Sequence, residues 1–345
     1  MRRTAGEMFI KNFIVSVILI CLFGVSFAEA AETNLTSAKT TESKNSAIKK
    51  AGTPEDWEFR AITKYFFASN TTYEFGNPNI EGSDKPLSRL SFPLNTVFAG
   101  GEVRRNFTGF SLGFTALSSV MRNTSGRLKD SDWEDTGNPD LRTTYSLSAC
   151  RMDRGLVLGG DADFTIAEWI GLPDCLDFRP LVGLEWQQFY FTGHDCLQFD
   201  YSSGLPDSSF PEDVVDFRQN YLEYMLGCRT IWDMGRPFKL PPIKSETEVR
   251  WSIVTGDNED HHLLRPGKRL TAELTSGWGF YVSTGLRMDI AKNVSIGCGV
   301  DYHVIRTWGV HRWLDSATGT DMKWKNAVKV WSDQSSVNMD ITCKF

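Results

Sequence analysis

The sequence predicts an all-β protein, a transmembrane antiparallel β-barrel of about ten strands in an outer membrane. Three observations carry this expectation. The C-terminal VNMDITCKF alternates without a break, with Val337, Met339, Ile341, Cys343 and Phe345 apolar and Asn338, Asp340, Thr342 and Lys344 polar. NVSIGCGVDYHVIR repeats the pattern: Val294, Ile296, Cys298, Val300, Tyr302 and Val304 form one side, while Ser295, Gly297, Gly299, Asp301 and His303 form the other. Period-two alternation is the mark of a strand with one oily and one wet face. Finally, past residue 30 no run reaches the roughly 18 apolar residues that a spanning helix needs, yet the chain opens with a secretory signal.

That signal occupies residues 1–30: a basic start, an apolar run from Phe13 to Phe27, and small residues at Ala28 and Ala30 for cleavage. Residues 31–54 are small and polar and cannot bury a core, which makes them a disordered spacer. Residues 55–345 form the barrel. Strands are expected near 56–70, 87–99, 107–121, 141–152, 156–170, 178–201, 214–232, 246–259, 270–288, 293–310 and 333–345. Some should merge, because a single-chain barrel of this kind has an even count. Breaks such as LPDC (172–175) and IAKN (290–293) read as tight turns, and polar stretches at 122–140, 202–213, 257–269 and 311–325 read as long outer loops. A soluble sandwich would alternate too; strand length, aromatic ends such as WGVHRW and the terminal Phe345 favour the membrane barrel.

The net charge of -6 and the lack of a basic stripe exclude nucleic acid as a partner. Six cysteines follow the signal, in a compartment where disulfides form. Cys298 and Cys343 fall on apolar faces, which suits lipid-facing packing better than bridges. No His/Cys spacing points to a metal, and no cofactor is expected.

Two acidic clusters carry the candidate chemistry. In RLKDSDWEDTGNPD, Asp130 and Asp132 are two apart, so on a strand both point the same way. In TGDNEDHHLLRPGKR, acids stand beside two histidines, and a carboxylate that orients an imidazole lets it act as a general base. Acidic loops are more often simply solvated surface. Both clusters fall in outer stretches, so they can face each other across the barrel mouth.

These segments resemble the omptin family of outer-membrane aspartate/histidine-type proteases. KDSDWEDTGNPD resembles the family's Asp-x-Asp-Trp segment, and GDNEDHH with the following PGKR resembles its Asp-Asn-Asp-Glu-His segment. VGLEWQQFYFTG (182–193) is similar to its AGYQESRYSFTA stretch. The resemblance runs from about residue 70 to Phe345. It implies a ten-stranded barrel extending far above the outer membrane, with a groove at its top in which an aspartate pair and a histidine–acid dyad activate a water against a peptide carbonyl. The pair would be Asp130 and Asp132. Glu74 and Asp257 would line a pocket for a basic side chain, through charge-assisted hydrogen bonds. Extracellular polypeptides would be the substrates, outer-membrane lipid and lipopolysaccharide the surroundings and a possible requirement for activity, and a monomer the expected state.

The dyad has two registers. Ungapped matching from Asp257 and Asn258 gives Glu259 with His261; the acid–x–histidine pattern is also met by Asp260 with His262. Val249, Trp251 and Ile253 are odd-numbered, so an unbroken strand sends Glu259 and His261 outward. A bulge at Gly256 would reverse this, and with it Glu259/His261 is the preferred pair. Glutamate would then replace the family's aspartate, and a misplacement of about 1 Å can cost roughly 100-fold in rate, giving a slow, retuned or inactive enzyme. NPDLRT shortens a family stretch tied to preference beyond the cleaved bond. Leu184, Trp186 and Gln188 replace the family's lipopolysaccharide contacts. The rival readings are an inactive adhesin or receptor barrel and a diffusion porin.

Overall fold

A computed structural model describes residues 57–76, 86–202, 207–235, 242–265, 267 and 269–345. The expected signal peptide and spacer lie outside them. Among the described residues the alternating sequence becomes twelve strands: β1 (Trp57–Gly76), β2 (Pro86–Pro93), β3 (Val97–Phe107), β4 (Phe110–Ser119), β5 (Asn123–Asp132), β6 (Thr144–Phe164), β7 (Leu176–Asp200), β8 (Ser208–Asp233), β9 (Ile243–His262), β10 (Leu270–Ala291), β11 (Val294–Asp315) and β12 (Thr320–Lys344). All pairings are antiparallel, and β12 closes on β1.

Ten strands cross at each level. At the lower end, where Trp57 and Phe345 exchange backbone hydrogen bonds, β1 continues through β3 and β4 to β6. At the upper end it continues through β2 and β5 to β6. Thus β2 with β3, and β5 with β4, are two long strands each broken near mid-height. Asn95 stitches the break: its Oδ1 accepts from Ser69 N at 2.8 Å, and its Nδ2 donates to Ser125 O at 2.8 Å.

About 9–11 tilted residues span a bilayer, whereas β8 has 26 and β12 has 25. More than half of each long strand therefore stands clear of the membrane. This corrects the expected long loops: 123–132, 208–213, 257–262 and 320–325 are strand. The hydrophobic alternation fades there because the outer face has left the lipid, while the ladder with neighbouring strands continues. Lower down, Phe59, Phe114, Leu184, Leu226, Trp251, Ile253, Leu286 and Met339 project outward and exposed, as a lipid-facing belt requires. Cys298 joins them, as its apolar-face position implied.

Inside, the lower bore is crossed by ion pairs, among them Arg104–Asp161 at 2.8 Å, Arg229–Glu248 at 2.7 Å and Arg250–Glu185 at 3.2 Å. Above them lies an apolar floor. Phe92 and Phe217 stack at 4.3 Å, Tyr73 and Phe217 at 5.2 Å, and Phe191, Leu128, Tyr221, Val254, Ile305 and Val330 pack around them. Burial of these rings closes the bore between the charged lower half and the mouth, which argues against the diffusion-porin reading.

One irregularity controls which side chains reach the mouth. The β1–β12 register shifts between Phe67 and Asn70, and Ala68 takes φ 47°. Below this bulge the even-numbered Lys64 and Phe66 face the interior; above it Thr71, Tyr73 and Phe75 do. An extra residue in one strand reverses its parity.

Candidate active site

The site grows from two inner walls above the apolar floor. On β5, Leu128 is buried in the core, so Asp130 and Asp132 continue the same inward face. They stand opposite Leu90 and Ser88 of β2, and Ser88 Oγ lies 3.5 Å from Asp130 Oδ1. The adjacent Trp133 hydrogen-bonds through its backbone N to Leu87 O at 2.9 Å, fixing the end of the strand.

On β9 the pairing with β8 and with β10 runs without a register shift from the His261–His262 end down to Ile243 and Lys244. Even-numbered Ser252, Val254, Gly256, Asn258 and Asp260 are buried. Gly256 is therefore not a bulge, which corrects that expectation. It is small because a Cβ there would lie 2.7 Å from Thr275 Oγ1 and 3.2 Å from the Tyr221 ring. With the parity unbroken, Asp260 and His262 face the groove. Glu259 and His261 face outward, Glu259 reaching Arg218 at 2.9 Å with 43% of its side chain exposed. The geometry thus selects the Asp260/His262 register, and no longer glutamate has to stand in for aspartate.

His262 Nε2 lies 3.2 Å from Asp260 Oδ2, and Asp260 is 0% exposed. The same oxygen accepts a short hydrogen bond from the Tyr73 hydroxyl. Burial and the Asp260 charge hold Tyr73 well above the ordinary phenol range, so it remains a donor. Across the groove, burial and then the charges of Asp132 and Asp260 push Asp130 well above the usual carboxylate range. Burial raises Asp132 as well, with Ser88, Arg265 and His262 opposing the shift. The Asp132 charge disfavours a second ionisation beside it, which keeps a proton on the pair. Asp130, Asp132, Asp260 and His262 are therefore brought together from β5 and β9.

The two expected pocket acids are not with them. The bulge at Ala68 turns Glu74 onto the outer wall, where Arg89 binds it at 2.6 Å and Lys329 lies 3.6 Å away. Asp257, odd-numbered on β9, accepts from Asn220 Nδ2 at 2.8 Å, also outside. Both positions are corrections, and both follow from parity. The inner wall instead presents side chains the sequence reading missed: Tyr73, Asn258, Glu273 and His311, with Arg265 in the loop above. Glu273 and His311 lie more than thirty residues apart in the chain but are register partners on β10 and β11, with His311 Nδ1 2.9 Å from Glu273 Oε1. Only the pairing of strands could have joined them.

Among the described residues, one group places three ligand-type side chains within 4.8 Å: Glu185, Glu223 and His303, in the lower bore. Gln187 Oε1 accepts from Gln334 at 2.8 Å, which turns its Nε2 toward His303 Nδ1 at 3.3 Å. The proton then sits on His303 Nε2, 3.2 Å from Glu223, so the contact is a histidine–carboxylate hydrogen bond rather than a nitrogen open to a metal.

Comparison with protein-family models and with curated proteins gives no match. Among solved structures, the outer membrane protease OmpT from Escherichia coli superposes with a TM-score of 0.73 at 14% identity, over 85% of this chain and 98% of that one. The outer membrane protein OprG from Pseudomonas aeruginosa reaches a TM-score of 0.37 at 11% identity, over 85% of this chain and 96% of that one. The chain thus has the outer-membrane β-barrel fold of the omptin protease OmpT, ten strands around at each level and a carboxylate–histidine groove at one end.

Proposed function

We propose that this chain is an outer-membrane endopeptidase that cleaves extracellular polypeptides by direct attack of a water, with its groove open to the cell exterior. One observation carries the reading: an aspartate pair and an aspartate–histidine dyad face each other from opposite walls above a sealed apolar floor. With its Nε2–H directed at Asp260, His262 has its Nδ1 lone pair available to take a proton from water. The water oxygen bonds to the carbonyl carbon. The C–N bond then breaks as the proton passes from His262 to the departing amine, so no covalent enzyme intermediate forms. Asp130 and Asp132, holding a proton between them, can orient the water and donate to the developing oxyanion.

Preference for a basic residue, expected from Glu74 and Asp257, draws no support from those side chains in their observed places. In the Asp260 register the acid beside the histidine is an aspartate, which supports the reading. The test is a refolded, purified chain incubated with a peptide library, with and without lipopolysaccharide, beside His262→Ala. Cleavage by wild type that is lost in the variant supports the reading. No cleavage under either condition leaves an adhesin or receptor barrel.

A further inference from the structure

Tyr73 meets Asp260 across the bore. Strands β10, β11 and β12 stand between β1 and β9 around the barrel, so the contact passes through the interior and not along the sheet. The bulge at Ala68 turns the ring inward, where it stacks on Phe217 at 5.2 Å with 11° between the planes. Phe217 is the β8 register partner of Asp260, so the stack delivers the hydroxyl to that carboxylate. Both Tyr73 and Asp260 are 0% exposed, which shields the bond from solvent. Tyr73 donates to Oδ2, the oxygen that His262 Nε2 also approaches at 3.2 Å, whereas Oδ1 has no partner. Two donors therefore draw on one oxygen, and charge taken up by the phenol proton is charge withheld from His262.

The charges around His262 give that competition a consequence. Asp130 and Asp132 face it from β5, and Glu134 lies just past them. Glu273 on β10 is tied to His311 of β11 at 2.9 Å. Arg265, in the loop above, opposes the aspartates. Arg269 stands opposite His262 on β10, its guanidinium 4.0 Å from the centre of the Trp313 ring, with Asp315 and Glu134 acting on it. From β8, the register partner Val215 brings no charge, and Asp216 and Arg218 flank the inward Phe217 and so point outward. Carboxylates outnumber guanidinium groups around the imidazole, and a base that is held protonated cannot take a proton from water.

We propose that Tyr73 is a positioning residue that acts through Asp260: it fixes the carboxylate and takes up part of its charge, so that His262 gives up its proton more readily and stands as the free base. Its use in catalysis rests on the endopeptidase reading; its effect on the imidazole does not. The dyad is thus the inner end of a tyrosine–aspartate–histidine chain that ties β1 to β9.

The test follows the imidazole and the reaction separately, in the refolded barrel in lipopolysaccharide-containing micelles. With histidine labelled by nitrogen-15, the His262 resonance is the one missing from His262→Ala. Tyr73→Phe keeps the stack on Phe217 and removes the donor. It should raise the pH at which this resonance titrates by roughly 0.5–1 unit, the scale of one hydrogen bond to a carboxylate. The acid limb of kcat/KM for a cleaved peptide should move up with it. Difluorotyrosine at position 73 alone, a stronger donor of nearly the same shape, should move both down. A titration that stays in place in Tyr73→Phe, or moves down, overturns the proposal even where the rate falls, because loosened packing lowers a rate without moving the limb. If Tyr73→Phe does not fold, the difluorotyrosine chain decides, and an unmoved titration there overturns the proposal. A chain that cleaves no peptide at any pH removes the endopeptidase reading, and the imidazole titration then decides the role of Tyr73 by itself.

Discussion

Replacing Asp260 by Asn tests the inward parity of β9 directly. As His262 takes the proton from water it becomes a cation, and Asp260 Oδ2 lies 3.2 Å from its Nε2. At an effective dielectric of about 20 that attraction is worth about 5 kcal/mol, which corresponds to roughly 10³–10⁴ in rate. Asn keeps the shape, removes the charge, and leaves Tyr73 bonded to a neutral acceptor. Glu259 offers the internal control. Its pair with Arg218 is on the outer wall with 39% and 43% of the two side chains exposed, the kind of contact that contributes about 0–1 kcal/mol. Peptide hydrolysis should therefore fall by about three orders of magnitude in Asp260→Asn and be lost in His262→Ala, while Glu259→Ala and His261→Ala retain wild-type rates. The opposite pattern, with the outer pair essential and the inner pair dispensable, would refute the assignment and require the strand to bulge.

The aspartate pair makes two further predictions. Because Asp130 is held protonated by burial, Asp132 and Asp260, Asp130→Asn should be the milder lesion, whereas Asp132→Asn should lower kcat by about 10²–10⁴. The raised Asp130 also sets a pH dependence of stability: folded chain keeps a proton that an unfolded aspartate releases near pH 3.9. The contribution of Asp130 to stability is then greatest below about pH 4 and declines as pH rises toward the folded value. Urea titrations should show Asp130→Asn more resistant than wild type at neutral pH, with the gap closing below about pH 4. At the bulge, Ala68 sits at φ 47°, where a Cβ costs about 1–2 kcal/mol. Ala68→Gly should raise the urea midpoint and Ala68→Val lower it; equal midpoints would mean the left-handed backbone is not strained.

Much of this molecule is set by local sequence. Alternation in β11 and β12 fixes a lipid face and a wet face, because the side-chain period of a strand is two whatever surrounds it. The same rule puts Asp130 and Asp132 on one side, and pairs Asp260 with His262 as surely as Glu259 with His261. What period two leaves open is which set faces in, since a single extra residue reverses it. That choice belongs to the ladder between strands. The structure places the reversal at Ala68 on β1, turning Glu74 outward, and keeps β9 in phase past Gly256, turning Asp257 outward and Asp260 inward. Tertiary structure alone also carries β9 through the polar DNEDHH, where neither face has an apolar pattern but β8 and β10 supply partners. It brings Glu273 and His311 together beneath the dyad for the same reason: neighbours across a sheet are related by register, and register is a property of pairs of strands rather than of one.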